Sequence, residues 1–339
     1  MKYNNEMHHN CKTIGFKKKF VNYTNTSKYK VLCLLTFFLL FIFLYFFTVI
    51  FNGISFETHP TNWIRYQSLL RTSSSAIVGF GLAVAGCGMQ GVTRNDLSGP
   101  TTMGLLPAST FGIIVAQALG LNQVYFIFIF GLLFCILILM INFLSTKIKG
   151  YQSNNFKTIL VGLILGALLT SLGILVKTIF PIVTENIVMW IGGTTSNYTW
   201  ERFYYAAPSI LIGVILILLV QNKLNIIEKD LSLAVSLGIN IKFVYWIVGI
   251  ACVLISVSSI LLIGSVVIIG IVIPHICRMI LRTRDYRWLI LTSGFLTAAI
   301  LEFATLMDVM FQLGITLFTV VIFVPIFIFL AVRNKGGKK

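Results

Sequence analysis

The side chains that usually carry catalysis or hold metals do not gather in this chain. The four histidines, His8, His9, His59 and His275, are too scattered to form a metal cluster, and the His8–His9 pair belongs to a polar, basic stretch. The six cysteines (Cys11, Cys33, Cys87, Cys135, Cys252 and Cys277) have no C-x-x-C spacing. Most lie inside apolar runs, where Cys packs as a small hydrophobe, so neither a disulfide framework nor a metal site is indicated. There is no G-x-x-x-x-G-K-[ST] phosphate cradle, no H-E-x-x-H zinc helix and no G-x-S-x-G elbow, so the chain is not expected to hydrolyse ATP itself or to carry a cofactor. One acid is conspicuous. Glu302 lies deep in an apolar run, where an ionisable residue suggests function. A proton relay would need further Asp, Glu or His partners along the path, so a structural hydrogen bond or a wall of a path is the preferred reading. Lys177 and Asp308 fall near span ends, from which they are expected to reach water.

Composition dictates what must position these residues. Of 339 residues 57% are hydrophobic and 11% charged, with a mean hydropathy of +0.93. A soluble domain is about 45–50% apolar and about 25% charged, so a soluble enzyme is excluded. Roughly 190 apolar positions suffice for nine or ten helical spans of about 20 residues, and long unbroken runs favour helices over the alternating strands of a barrel. Apolar runs separated by polar punctuation predict spans at 31–51, 69–92, 101–120, 124–145, 157–180, 203–221, 243–262, 264–282, 288–307 and 313–332. The stretch 243–282 is twice the length of one helix and must break. The expected fold is therefore all-α, a polytopic membrane protein of about ten transmembrane helices.

Charge orients it. With both termini cytoplasmic, the inner segments hold 22 of the 26 Lys and Arg, leaving Arg65, Arg71, Lys177 and Arg202 outside or near outer ends, as basic residues prefer. The net charge of +16 thus reads as cytoplasmic loops beside a lipid bilayer, not as a nucleic-acid surface. Residues 1–30 form a basic tail, 31–332 the transmembrane domain and 333–339 a second basic tail. The run 31–51 is too long for a secretory h-region and lacks a small-residue cleavage site. Small residues four apart (Gly79/Ala83, Gly81/Ala85, Gly162/Gly166/Thr170, Gly294/Ala298) favour close helix packing. The outer stretch 181–202 is expected to form a short re-entrant helix at the membrane surface. The inner stretch 222–242 places Leu231, Ala234, Val235, Leu237 and Gly238 behind the acids Glu228 and Asp230, predicting a short cytoplasmic surface helix within 228–241.

Several motifs carry a resemblance. Residues 81–100 are similar to "G-x-x-L-x-x-x-G-x-x-x-Q-x-x-x-R-N-P-L-A-x-P", keeping Gln90, Arg94, Asn95, Leu97 and Pro100. Trp190, Gly192 or Gly193 and Trp200 resemble "W-x-x-G-S-x-x-x-x-x-W", and Ser236 to Asn240 resemble "S-L-G-V-N". Gly270 to Arg278, with Pro274 and His275, resemble "G-L-I-V-P-H-I-A-R", followed by Asp285 and Arg287 for "D-H-R". On these residues the chain resembles the permease subunits of type II, FecCD-like ABC importers of iron–siderophores, haem and cobalamin. There are departures. Asp96 replaces the Pro of "R-N-P", Gly99 an acid, Ser265 and Val267 interrupt "G-P-x-G", and Glu302 stands for Asp. The end motif "P-x-G-x-x-T-x-x-x-G-x-P" is reduced to Gly314, Thr316, Thr319, Phe323 and Pro325.

The resemblance implies a multi-pass permease of the bacterial cytoplasmic membrane importing an iron–siderophore complex. It implies two separate ATP-binding subunits, a second permease copy or a similar permease, and an extracytoplasmic binding protein. Leu231, Ala234, Ser236, Leu237, Gly238 and Asn240 would couple to the ATPase. Arg71, matching the Arg of "R-x-P-R", and Arg65 would receive carboxylates of the binding protein, the bland alternative for Arg71 being a lipid-headgroup anchor. Gln90, Arg94, Asn95, Pro100, Gly270, Pro274, His275 and Glu302 would shape the path. Pro274 is expected to kink its helix. His275 is expected to serve as a structural hydrogen-bonding residue, because a chelated iron needs no further ligand. Haem or cobalamin are the alternative cargoes, and an ion-coupled secondary transporter is the alternative class.

Overall fold

A computed structural model describes residues 27–54, 61–147, 155–180, 199–266, 268–311 and 314–335, and every regular element among them is a helix. In chain order these are α1 (Ser27–Ile54), α2 (Thr61–Thr93), α3 (Leu105–Ala118), α4 (Val124–Lys147), α5 (Asn155–Ile179), α6 (Trp200–Lys229), α7 (Leu231–Ser236), α8 (Ile241–Ile263), α9 (Ile269–Leu281), α10 (Tyr286–Phe311) and α11 (Ile315–Lys335). Each predicted span has its helix. The helices differ in length. Among the described residues seven helices (α1, α2, α4, α5, α6, α8 and α10) are long and apolar enough to cross a membrane, while α3 and α9 have only 14 and 13 residues. At 1.5 Å per residue such helices reach about 20 Å, short of a hydrocarbon core of about 30 Å.

The two short helices begin at breaks in the bundle. Gly104 (φ 74°) precedes α3, and Gly264 (φ 85°) and Ile268 (φ 77°) precede α9. Irregular backbone at such a place must be satisfied by protein, and it is. Asn142 Nδ2 donates to the Met103 carbonyl at 2.8 Å, and Thr316 Oγ1 donates to the Ser265 carbonyl at 2.6 Å.

The long helix α2 is the hub, packing against α1, α6, α8, α9 and α10. Its small residues make this possible. A Cβ on Gly79 would stand 2.8 Å from Ala298 Cα, and one on Gly81 would stand 2.7 Å from Ile210 Cγ2. Packing is thus the role of the predicted small-residue pairs. On the periphery, α5 exposes Leu160, Leu163, Ile164, Leu168, Leu172 and Leu175.

The stretch after 221 also differs from expectation. Helix α6 runs on to Lys229, because Leu224 and Ile227 continue its buried face. The surface helix shrinks to the six residues of α7. The stretch 181–198, Trp190, the segment 1–26, Val267 and the side chain of Arg65 lie outside the described residues.

Candidate functional site

Gln90, three residues from the end of α2, organises the first cluster. Its Nε2 donates to the Asp96 carbonyl at 2.9 Å and to the Ile271 carbonyl at 3.2 Å, joining the turn after α2 to the start of α9. The turn is tight. Arg94 adopts φ 53°, Asn95 N donates to the Gln90 carbonyl, and Asn95 Oδ1 accepts from Leu97 N at 2.9 Å. Pro100 packs near Gly270, where an added Cβ would stand 3.6 Å from Pro100 Cδ. Gln90, Asn95, Pro100 and Gly270 are therefore brought together, whereas the Arg94 side chain is exposed. Gly99 is buried, and a Cβ there would lie 2.8 Å from Ile271 Cγ1, so the acid of the resembling motif has no room.

A second cluster surrounds the corner between α9 and α10. Arg278 is 8% exposed, and its Nη1 meets Asp96 Oδ1 at 2.7 Å while Nη2 donates to the Tyr286 hydroxyl at 3.3 Å. Arg284 bridges Glu228 Oε1 at 2.8 Å and Asp96 Oδ2 at 3.6 Å. Asn225 donates to Asp285 Oδ1 at 2.9 Å and accepts from Tyr286 N at 2.8 Å, and Asn222 Oδ1 accepts from Arg287 Nε at 2.9 Å. An open cleft of about 330 Å³ is lined here by Asp96, His275, Arg278, Arg282 and Arg284, among others. His275 is half-buried in its wall, and no hydrogen bond to it occurs among the described residues, so the expected hydrogen-bonding role is not what the geometry supplies. Proline blocks the bond that its own nitrogen would make, and Pro274 is buried inside α9.

Helix α7 adjoins this corner. Its N-cap is Asp230, whose carboxylate accepts from Ser232 N at 2.8 Å and Ser232 Oγ at 2.7 Å. Those hydrogen bonds from Ser232, aided by the charge of Arg94, hold the Asp230 carboxyl below its ordinary value. The C-terminus closes with Ile239 N donating to Ala234 O at 3.0 Å and Gly238 N to Val235 O at 2.9 Å, a Schellman arrangement with Gly238 at φ 75°. Asn240 then caps α8 through Phe243 N at 3.2 Å. Ala234 anchors α7 inward, while Leu233, Val235 and Leu237 are exposed, the last two at 61% and 60%. Ser236 Oγ folds back onto the Leu233 carbonyl and Leu231 is half-buried. A rigid apolar knob results.

At the opposite end the pattern is mixed. Arg71 is half-buried on α2, one turn after the buried Ser68, whose hydroxyl reaches the Val49 carbonyl at 3.4 Å. Arg65 lies on the same helix, which starts eight residues earlier than the predicted span. Glu302 is 0% exposed, and neither carboxyl oxygen has a hydrogen-bond partner among the described residues, so the geometry supplies neither a hydrogen bond nor an exposed wall surface for it. Asp308 does not reach water as expected. It is 5% exposed and accepts from Gly314 N at 2.7 Å, bracing the entry to α11. Phe323, where the motif has Gly, is buried as core. A cavity of about 180 Å³ between α3, α5 and the segment before α9 is lined by Thr101, Thr110, Phe111, Thr170 and Ser265, among others.

Asp96, Asn222, Asn225, Arg284 and Tyr286 were not expected to act together. One signal was available: Asn222, Asn225 and Glu228 recur every three residues and so share a helix face. Their partners lie about sixty residues on, at Asp285, Tyr286 and Arg287, and no local pattern points to them.

Comparison with known proteins accords with this geometry. Residues 30–333 match the model of the FecCD transport family. The chain is 26% identical to the iron-uptake system permease protein FeuB of Bacillus subtilis (strain 168) over 293 residues, 83% of this chain and 84% of that protein. It is 29% identical to the iron(3+)-hydroxamate import system permease protein FhuB of the same organism, over 79% of this chain and 71% of the other. A probable heme-iron transport system permease protein, IsdF of Staphylococcus aureus (strain Newman), is 29% identical over 72% of this chain and 73% of its own length. In fold, the chain superposes on a solved metal-chelate type ABC transporter in an inward-facing conformation with a TM-score of 0.76 at 24% identity, covering 88% of this chain and 98% of that one. It also superposes on PsaBC from Streptococcus pneumoniae with a TM-score of 0.58 at 19% identity, covering 76% of this chain and 87% of that one.

Proposed function

The chain belongs to the FecCD transport family and is a multi-pass membrane permease of the ABC importer class; from that premise we propose that its cargo is an iron–siderophore complex. The observation that carries the reading is the match over residues 30–333 joined to relatives named for iron uptake and iron(3+)-hydroxamate import. ATP hydrolysis belongs to two separate subunits, and a rigid element must pass their closure to the membrane. Helix α7 suits that task. Its buried Ala234 fixes it to the bundle, Asp230, Ser236, Gly238 and Asn240 hold its two ends, and Leu233, Val235 and Leu237 offer apolar surface to a cleft.

Arg71, with Arg65 on the same helix, receives carboxylates of an extracytoplasmic binding protein, for which a planar guanidinium is suited. Gln90, Pro100, Gly270 and Glu302 are buried and shape the cargo's path from behind its lining, by fixing how α2, α9 and α10 pack. Haem is the second reading, favoured by the 29% identity to IsdF.

Deletion of the gene, followed by growth on single iron sources, tests the cargo. Loss of growth on a ferric hydroxamate with growth on haem retained is the expected result. Loss on haem alone establishes the second reading. Growth retained on every iron source, with cobalamin uptake lost instead, overturns both.

A further inference from the structure

Helix α7 and the 94–104 loop belong to different parts of the chain, yet a short polar bridge joins the elements that hold them. Asn222, Asn225 and Glu228 line one face of the last turns of α6, immediately before α7. They grip residues 284–287 through four bonds of 2.8 to 2.9 Å. The end of α6 and the α9–α10 corner therefore move together. From this body two guanidinium groups reach one carboxylate, that of Asp96: Arg278 at 2.7 Å and Arg284 at 3.6 Å. Arg284 is the shared member, holding Glu228 with its other nitrogen at 2.8 Å.

The loop that Asp96 belongs to is a compact unit, held by Asn95 N on the Gln90 carbonyl, Met103 N on the Gly99 carbonyl and Gly104 N on the Thr101 carbonyl. It is bounded by two left-handed residues, Arg94 (φ 53°) and Gly104 (φ 74°), and a non-glycine residue in that region is strained. Thr101 within the loop lines the cavity that also meets Thr110, Thr170 and Ser265. A shift of the loop changes that cavity. Moreover, Asp96 stands where the resembling motif has Pro, which offers no side-chain acceptor, so the bridge is a property of this sequence.

We propose that Asp96 is a positioning residue that transmits movement of the α6–α7 corner, through Arg284 and Arg278, to the 94–104 loop and its cavity. The proposal rests on the ABC-permease reading for its use, but not for its existence. The two cations differ in kind. The Arg278 side chain is 7% exposed and its charge depends on Asp96, since a buried ion without its partner is costly. The Arg284 side chain is 66% exposed, so its contribution is geometric and screened by salt. Asp96→Asn retains an acceptor for Arg278 while removing the charge. Arg284→Gln cuts the bridge at an exposed side chain and Glu228→Gln at a point remote from Asp96; because the Glu228 side chain is 8% exposed, only the second removes the buried charge together with the contact.

The test is amide hydrogen exchange of the full-length permease in lipid nanodiscs, reading peptides that cover 94–104. Exchange there is expected to rise about two- to thirtyfold in Asp96→Asn, Arg284→Gln and Glu228→Gln alike, the range over which residues on a coupling network shift a linked equilibrium. A rise in Asp96→Asn alone, with the other two at the parental rate, overturns the bridge and leaves a local ion pair. The second readout is uptake per ATP hydrolysed in proteoliposomes holding the permease with its ATPase and binding protein. A fall of the same size supports the transmission. An unchanged ratio, in variants whose loop exchange has risen, overturns it. If the parental complex shows no ATP-driven uptake of any iron chelate, the functional reading fails, and the exchange result still decides whether the bridge exists.

Discussion

Gly86→Ala is the substitution the bundle is expected to tolerate least. Gly86 lies on α2 where α9 begins, and an added Cβ there would overlap the Gly270 carbonyl oxygen and stand 2.7 Å from its carbon and 3.1 Å from its Cα. All three atoms are backbone, so no rotamer change relieves the clash. The carbonyl oxygen governs the demand: restoring an ordinary carbon–oxygen contact of about 3.2 Å requires α2 and α9 to separate by roughly 1.5 Å. Overpacking of that kind costs about 1–3 kcal/mol. The same separation stretches the bond from Gln90 Nε2 to the Ile271 carbonyl, already 3.2 Å long, beyond hydrogen-bonding range, adding about 1 kcal/mol. The expected destabilisation is therefore about 2–4 kcal/mol, measured by reversible unfolding of the purified permease in mixed micelles. Gly88→Ala is the control, because its new Cβ would meet only side-chain methyls of Ile217 and Val248 at 3.2 Å. It is expected to cost less than about 1 kcal/mol, since exposed or yielding contacts shift a fold little. A Gly86→Ala protein as stable as the parent, within about 0.5 kcal/mol, would refute the close approach of α2 to α9.

Three further outcomes are expected. Gly238 has open space around it but φ 75°, so Gly238→Ala should cost about 1 kcal/mol through backbone strain alone, read as lost amide protection in α7. Gly238→Trp carries the same strain and also alters the knob, so the complex should assemble without transporting; import at the parental rate would show that α7 is not the coupling element. Asp230 is held below its ordinary value of 3.8 by hydrogen bonds from Ser232, so the capped end of α7 is supported above that pH and loosens as pH falls through the lower, folded-state value, which amide exchange against pH measures. Asp230→Asn should abolish that pH dependence. Thr316→Val strands the Ser265 carbonyl, which now accepts at 2.6 Å; unfolding should show a loss of about 1–3 kcal/mol, and Thr316→Ser should recover most of it.

The membrane class, the ten-helix frame and the position of α7 were legible in the sequence alone. They depend on the length of apolar runs, on the spacing of basic residues and on capping chemistry, all of which act between neighbours along the chain. Asp230 before α7, Gly238 after it and Asn240 before α8 fill their places for that reason. What the tertiary structure decided was where helices stop inside the bundle and which polar groups meet. Helices α3 and α9 can be short because Asn142 and Thr316, far away in sequence, satisfy the backbone beside their breaks. Asp308 is buried because Gly314 turns back onto it, and Gly99 cannot be an acid because Ile271 occupies the space. The pairing of Asp96 with Arg278, and of Glu228 with Arg284, joins residues on different helices. Such pairs are fixed by which helices become neighbours, a property of packing between distant segments that no local spacing encodes.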